Sequence, residues 1–295
     1  MILEQNSKLN ILQLKRDKHI LNLKRAGCYI VLGLLTIISL FPFIILVINS
    51  TRLHAQIMQG FSLVPGTAFA KNFIELFSDN NIPILRALIN SVIISTFVAF
   101  LSTYFSSMTA YAIHMYRFKG RNVAFRFIMM VMMVPPQVSA LGFLRLVIDM
   151  KMMDTFYPLI IPAIAAPFIF FFMLQYMQAT LPFEIVEAAR IDGSNEIRTF
   201  NTIVLPILKP AMAVQAIFSF VAAWNNYFMP ALIINSKLNK TIPILIADLR
   251  GADYMKFDYG KVYMLVAIAI IPLMLVYFVL SKNIIKGVTL GSVKG

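Results

Sequence analysis

What this sequence has little of already excludes several classes of protein. A single cysteine, Cys28, occurs in 295 residues, which excludes an internal disulfide, and no Cys/His cluster has the spacing of a metal site. The three histidines, His19, His54 and His114, have no nucleophile or metal constellation beside them, which argues against a membrane enzyme and leaves catalytic and metal residues unassigned. Acids are scarce: 13 Asp and Glu stand against 26 Lys and Arg, for a formal charge of +13. No G-x-x-x-x-G-K-[ST] phosphate loop is present, so the chain offers no ATP site of the P-loop type. The amino terminus does not have the form of a removable signal peptide. It is long and polar ahead of its first apolar run, and that run has spanning length without a small-residue cleavage site.

What is present is apolar. Hydrophobic residues make up 59% of the chain, charged residues 13%, and the mean hydropathy is +0.78. So much apolar surface cannot be hidden in one globular core, and the chain must be largely embedded in lipid. Its basic residues fall in short segments between apolar runs rather than along one polar face, a pattern of membrane topology and not of nucleic-acid binding. Six runs approach the roughly 20 apolar residues that cross a bilayer: 26–48, 85–113, 123–148, 156–177, 207–234 and 262–285. The expected fold is all-α, a polytopic integral membrane protein with a basic segment 1–25, a membrane domain 26–285 and a tail 286–295. Pro42 in the first run is tolerated in a membrane helix. The third run holds Arg126, Pro135, Pro136, Gln137 and Arg145, so one side of it should face other helices or a polar path, with a break at the prolines.

Orientation follows from Lys and Arg. Lys8, Lys15, Arg16, Lys18, Lys24 and Arg25 precede the first span, and Arg117, Lys119 and Arg121 follow the second. Both termini are thereby expected in the cytoplasm. The connection 235–261 then lies outside, although it carries Lys237, Lys240, Arg250, Lys256 and Lys261. The amino-terminal cluster weighs more because the first helix usually dominates orientation.

One cytoplasmic connection stands out. Glu184, Glu187, Asp192 and Glu196, four of the thirteen acids, sit between the fourth and fifth spans. Thr180 and Pro182 signal a helix start, Glu184 suits its positive end and Gly193 supplies a break. After the break, Ser194 can cap a second helix, Glu196 falls in its first turn and Pro206 ends it. Ala188 and Ala189 keep the first helix thin, while Phe200 and Ile203 lie on an apolar face of the second, a combination suited to a partner's groove. The plainer alternative is a solvated loop with an i,i+3 pair between Glu187 and Arg190.

The order of residues in EAARIDGSNEIRTFNTIVLPILKP, from Glu187 to Pro210, closely resembles the EAA motif of ABC-type importer permeases. That resemblance implies a coupling loop, about 178–206, that docks into a cleft on a cytoplasmic ATP-hydrolysing subunit. The matching positions are Glu187, Ala188, Ala189, Asp192, Gly193 and Phe200. It also implies that this chain is not an enzyme and holds no cofactor, with ATP and Mg on the partner ATPase. Closure of the ATPase pair would move a rigid elbow and rotate the helices attached to it.

Softer signals cover most of the chain. MMDTFYPLIIP from Met152, AAWNNYFMPAL from Ala222 and the ending KGVTLGSVKG are similar to the carbohydrate branch of that family, specifically the smaller maltose-type permease partner. The resemblance implies a second permease as heterodimer partner, two ATPase subunits, an extracytoplasmic solute-binding protein, a carbohydrate cargo and a bacterial cell membrane. It implies a tail contact to the ATPase through Gly291, Lys294 and Gly295, where a frayed terminus is the alternative, and contact of 235–260 with the binding protein. Trp224, Asn225, Asn226 and Tyr227 form a candidate substrate path, since a flat ring flanked by amides suits a sugar. Interfacial anchoring accounts for the same residues and is favoured. Ser102, Thr103, Ser106, Ser107 and Thr109 are expected first as helix–helix packing glue. Two rivals remain open: the same machine with an amino acid, peptide, polyamine or anion as cargo, and an ion-driven carrier.

Overall fold

The computed structural model describes residues 2–79, 82–251 and 257–291. Among these residues regular structure is helical throughout, with no strand. The chain divides into two compact units, one of residues up to Asn72 with Tyr259–Met264, the other of Phe73–Asp258 with the residues from Leu265 onward.

In the first unit α1 (Ile2–Ser50) runs unbroken through Pro42, and its stretch Lys24–Ser50 is long and apolar enough to cross a membrane. A short α2 (His54–Met58) follows, then α3 (Phe69–Ser78), which continues into the second unit. The segment beyond α1 is organised by the buried Arg52. Its guanidinium donates to Asn49 Oδ1 (3.1 Å), to the Gly60 carbonyl (3.2 Å) and to the Gln56 carbonyl, because a buried charge is tolerated only when its donors are satisfied. The Asn72 amide in turn donates to the carbonyls of Ser50 (2.9 Å) and Arg52 (3.0 Å), oxygens that the end of α1 leaves without helical partners. Gly260 closes against this knot: a Cβ there would stand 2.9 Å from the Asn72 amide and 3.0 Å from the Arg52 carbonyl.

The second unit contains α4 (Ile84–Met115), α5 (Arg121–Met132), α6 (Pro136–Asp149), α7 (Tyr157–Ile160), α8 (Pro167–Thr180), α9 (Phe183–Ile191), α10 (Glu196–Thr199), α11 (Leu205–Trp224), α12 (Phe228–Ile233) and α13 (Ile242–Arg250). α14 (Tyr259–Gly291) begins in the first unit and ends in the second. Among the described residues of both units, five helical stretches meet the length and apolarity of a membrane span, and α5 with α6 makes a sixth if that pair, bent by 97°, counts as one. The bend falls at Pro135–Pro136, where the sequence predicts it. Pro136 begins α6, because a proline ring fits a first turn and obstructs a helix interior.

α4 is the axis of this unit and packs on α8 and α11. Around its Met115 end a core forms from Ala110, Phe170, Met173, Met177, Val204 and Leu208. Of the polar row of α4, two residues join it to neighbouring segments as expected and three do not. Ser102 Oγ meets Ser219 Oγ of α11 at 2.8 Å, Ser106 donates to the Ala166 carbonyl at 3.2 Å, and the hydroxyls of Thr103, Ser107 and Thr109 return to carbonyls of their own helix.

The fifth span departs from expectation. Pro206 does not end a separate helix, since the chain from Glu196 to Trp224 is one continuous helical span. A π turn over Phe200–Val204 stands immediately before Pro206. Its wider ring moves the preceding carbonyls out of the path of the proline ring, so the helix passes through. At its other end the span stops at Trp224 rather than running to residue 234. Asn225 and Asn226 interrupt it before α12.

Candidate functional site

The segment 181–204 folds as the elbow the sequence predicts. α9 ends at Ile191 with Asp192 as its C-cap, and Gly193 turns the chain with φ +78°, a left-handed conformation that L side chains adopt at a cost. The Gly193 N–H donates to the Arg190 carbonyl and the Ser194 N–H to the Ala189 carbonyl, both at 3.0 Å, so the last turn of α9 is closed by backbone. The cap of α10 is Asn195 and not Ser194: Asn195 Oδ1 accepts the Arg198 N–H at 2.8 Å. Ser194 Oγ instead accepts the Thr199 hydroxyl at 2.9 Å. An amide at that position reaches the third backbone donor, and the preceding hydroxyl is left to lock the turn.

Arg190 does not join Glu187. It turns across the elbow, and its Nε donates to Glu196 Oε1 at 2.7 Å. Its guanidinium lies 5.3 Å over the ring of Tyr116, within cation–π range. The other Glu196 oxygen accepts the Tyr111 hydroxyl of α4 at 3.0 Å. The Glu196 hydrogen bond, aided by Tyr116, holds the Arg190 guanidinium still more firmly protonated than an ordinary arginine. Burial, and then the nearby Glu196 carboxylate, push the Tyr116 phenol up.

The expected docking residues divide by exposure. Glu187, Ala188, Asp192 and Gly193 face outward. Ala189 is buried, and Phe200 is 2% exposed, packed on Tyr104 (5.8 Å between ring centroids) and Tyr111 (5.4 Å). Phe200 is therefore the inner anchor of the elbow and not a projecting ring. What projects instead is Ile191, 86% exposed, and Ile197, 76% exposed, one on each side of Gly193. Two isoleucines bracketing a glycine in a polar stretch were the available signal in the sequence.

At the opposite end of α4 the connection 235–250 is held by backbone capture. Asp154 adopts φ +60°, its Oδ1 accepts the N–H groups of Asn235 (3.0 Å) and Ser236 (2.8 Å), and its carbonyl accepts Asn239 Nδ2 (2.8 Å). Partial burial would raise the Asp154 carboxyl, but these donors outweigh it and leave the group below the usual carboxylate range. From α4, Asn90 Nδ2 donates to the carbonyls of Leu238 (2.8 Å) and Lys240 (3.0 Å), and Ser91 Oγ accepts the Ile242 N–H (2.9 Å). Lys240 pairs with Asp248 at 2.7 Å.

Trp224 is 3% exposed and stacks on Phe220 with ring centroids 5.8 Å apart, while Asn225, Asn226 and Tyr227 are exposed. One edge of Trp224, with Asn225, Tyr227, Ile246, Arg250 and Ile270, borders a cleft of ≈ 440 Å³. Of the expected tail contact, Gly291 is the last residue of α14, and Lys294 and Gly295 lie outside the described residues.

Helices long and apolar enough to cross a membrane, with a glycine-turned elbow at one end of the second unit, define an integral membrane protein of the polytopic helical class. Residues 102–290 match the family described as binding-protein-dependent transport system inner membrane component, and the chain belongs to that family. It is 35% identical over 264 residues to the arabinooligosaccharides transport system permease protein AraQ of Halalkalibacterium halodurans, covering 88% of this chain and 92% of that one. Against the trehalose/maltose transport system permease protein MalG of Thermococcus litoralis the identity is 32%, with coverage of 92% and 98%. The crystal structure of a bacterial ABC transporter importing the acidic polysaccharide alginate shares the fold, with TM-score 0.72, 22% identity and coverage of 86% and 94%.

Proposed function

We propose that this chain is the transmembrane permease of an ABC importer that carries a carbohydrate into the cytoplasm, paired with a second permease, two ATPase subunits and an extracytoplasmic binding protein. Both termini lie in the cytoplasm of a bacterial cell. ATP is hydrolysed on the partner subunits, and this chain supplies the path and the elbow. The observation that carries the reading is the pairing of a rigid hinge at Gly193 with Ile191 and Ile197 standing outward beside Glu187, Ala188 and Asp192. Apolar side chains ringed by charge, on a backbone fixed at both ends, fit a groove in a soluble partner. Relatives named for arabino-oligosaccharide and for trehalose and maltose transport support a carbohydrate as cargo. At the opposite end, the preorganised connection 235–250 suits docking of the delivering protein.

Uptake by the reconstituted complex in liposomes tests this. Labelled arabinotriose, lactose and maltose serve as probes. Accumulation of at least one, dependent on internal ATP and on the binding protein, is the expected result. Uptake by the purified chain alone, driven by an ion gradient, overturns it.

A further inference from the structure

Glu196 has two oxygens and divides them between two parts of the molecule. Oε1 takes Arg190 from the far side of the Gly193 turn at 2.7 Å, and Oε2 takes the Tyr111 hydroxyl from α4 at 3.0 Å. The first contact is the charged tie between the two arms of the elbow, beside the Ser194–Thr199 hydrogen bond and the shared apolar core of Val186, Phe200 and Val204. Without the second, the elbow would lean on α4 through Phe200 against Tyr104 and Tyr111, through His114 Nε2 at the Leu181 carbonyl (3.3 Å) and through one further hydrogen bond. In that bond Tyr104 donates to Asn201 Oδ1 at 3.1 Å. Beside these ties is a cavity of ≈ 200 Å³ lined by Met108, Ala112, Tyr116 and Ile197 among others. Apolar packing beside unfilled space can slide, and a charged hydrogen bond of fixed length resists sliding. Glu196 is also the first residue of the unbroken helical span that ends at Trp224. Whatever fixes its carboxylate therefore fixes the start of that helix against α4.

We propose that Glu196 is the positioning residue that makes the elbow, α4 and the Glu196–Trp224 helix move as one body, with Tyr111 as its receiver on α4 and Arg190 as its receiver on α9. The inference rests on the reading of the elbow as the ATPase-docking element and adds to it the route by which displacement enters the membrane. Glu196 is not required for holding the ATPase, since Ile191 and Ile197 do that from the outer face. Its loss should leave docking intact and waste the stroke.

Two measurements test it. In the reconstituted complex, ATP hydrolysed per molecule of accumulated probe sugar is compared for the parent chain, Glu196→Gln, Tyr111→Phe and the swap Arg190→Glu/Glu196→Arg. Both single variants should keep ATPase association and raise that ratio, by about tenfold for Glu196→Gln and a few-fold for Tyr111→Phe, the sizes expected when a charged hydrogen bond is weakened or lost. Made together with Tyr111→Phe, so that no hydroxyl is left to accept from the new guanidinium, the swap restores the pair within the elbow without the tie to Tyr111 and should remain poorly coupled. A fully coupled swap overturns the proposal, because the pair alone would then suffice. In the second measurement a spin label at Arg198 on the purified chain reports how firmly the elbow is held. Tyr111→Phe should increase its mobility, and an unchanged spectrum in both single variants overturns the tie. If the parent complex accumulates no probe, the proposed function fails, and the label still decides whether the tie exists.

Discussion

The two ends of α4 hold their neighbouring segments in opposite ways. At the Ile84 end, 235–250 is gripped through its backbone: Asp154, Asn90 and Ser91 together accept or donate at Asn235, Ser236, Leu238, Lys240 and Ile242. At the elbow end, the polar fastening to α4 runs mainly through the side chains of Glu196 and Asn201, and one backbone group is engaged, the Leu181 carbonyl against His114 Nε2 at 3.3 Å. Backbone capture fixes a shape whatever side chains the segment displays. Side-chain ties fix a position and leave the segment's own shape to its internal turns. The first suits a platform that is met by a partner, the second a part that is pushed.

Four changes would break or sharpen that contrast. The largest effect is expected from Ile191→Asp with Ile197→Asp, which removes both projecting apolar side chains from the docking face. Each buried isoleucine is worth about 1.5–3 kcal/mol, so co-purification of the ATPase should fall by two orders of magnitude or more while membrane insertion is unchanged. Gly193→Val comes next. A Cβ at that position meets no neighbour within 4 Å, so the cost is the left-handed backbone alone, about 1–2 kcal/mol, and ATP-driven uptake should drop roughly tenfold. A valine variant with parent uptake would show that the turn is not held at φ +78° in the working transporter.

Asp154→Asn tests the other end. The amide keeps an acceptor but loses charge, and amide exchange at Asn235 and Ser236 should quicken several-fold, the usual consequence of replacing a charged acceptor by a neutral one. The pH dependence has a definite sign. Because the Asp154 carboxyl is held low in the fold, its protection of the loop is complete above the ordinary carboxylate value and is lost as pH falls through the depressed one. The Asn235 and Ser236 amides should therefore lose protection on acidification in the parent chain, and the variant should show no such step. Smallest of all is Tyr227→Phe, where an exposed hydroxyl is removed beside the cleft. Uptake should stay within about twofold, as for an interfacial ring, and a tenfold loss would move Tyr227 into the substrate path.

Much of this was legible in the chain itself. Run length and apolarity marked the spans, the Pro135–Pro136 pair marked the bend, and Gly193 marked the turn, because each acts through local backbone chemistry. Three features depended on contacts that spacing does not encode. Arg190 had a plausible partner at Glu187, one helical turn away, and took Glu196 because the Gly193 turn brings that carboxylate closer to hand. Phe200 looked like a projecting ring on a short helix, but the π turn continues that helix into α11 and points the ring at Tyr104 and Tyr111. Asp154 gave no outward sign of its left-handed turn or of the distant 235–239 segment whose donors its oxygens accept.

Trp224 is the sole tryptophan among the 295 residues. It sits, shielded and stacked on Phe220, at the far end of the helix that begins at Glu196. That helix is 29 residues long, on the order of 43 Å at the usual rise. The protein thus carries its own optical gauge: any tilt or twist delivered at the elbow arrives at one indole, whose emission colour and quenching would register the displacement without an added dye.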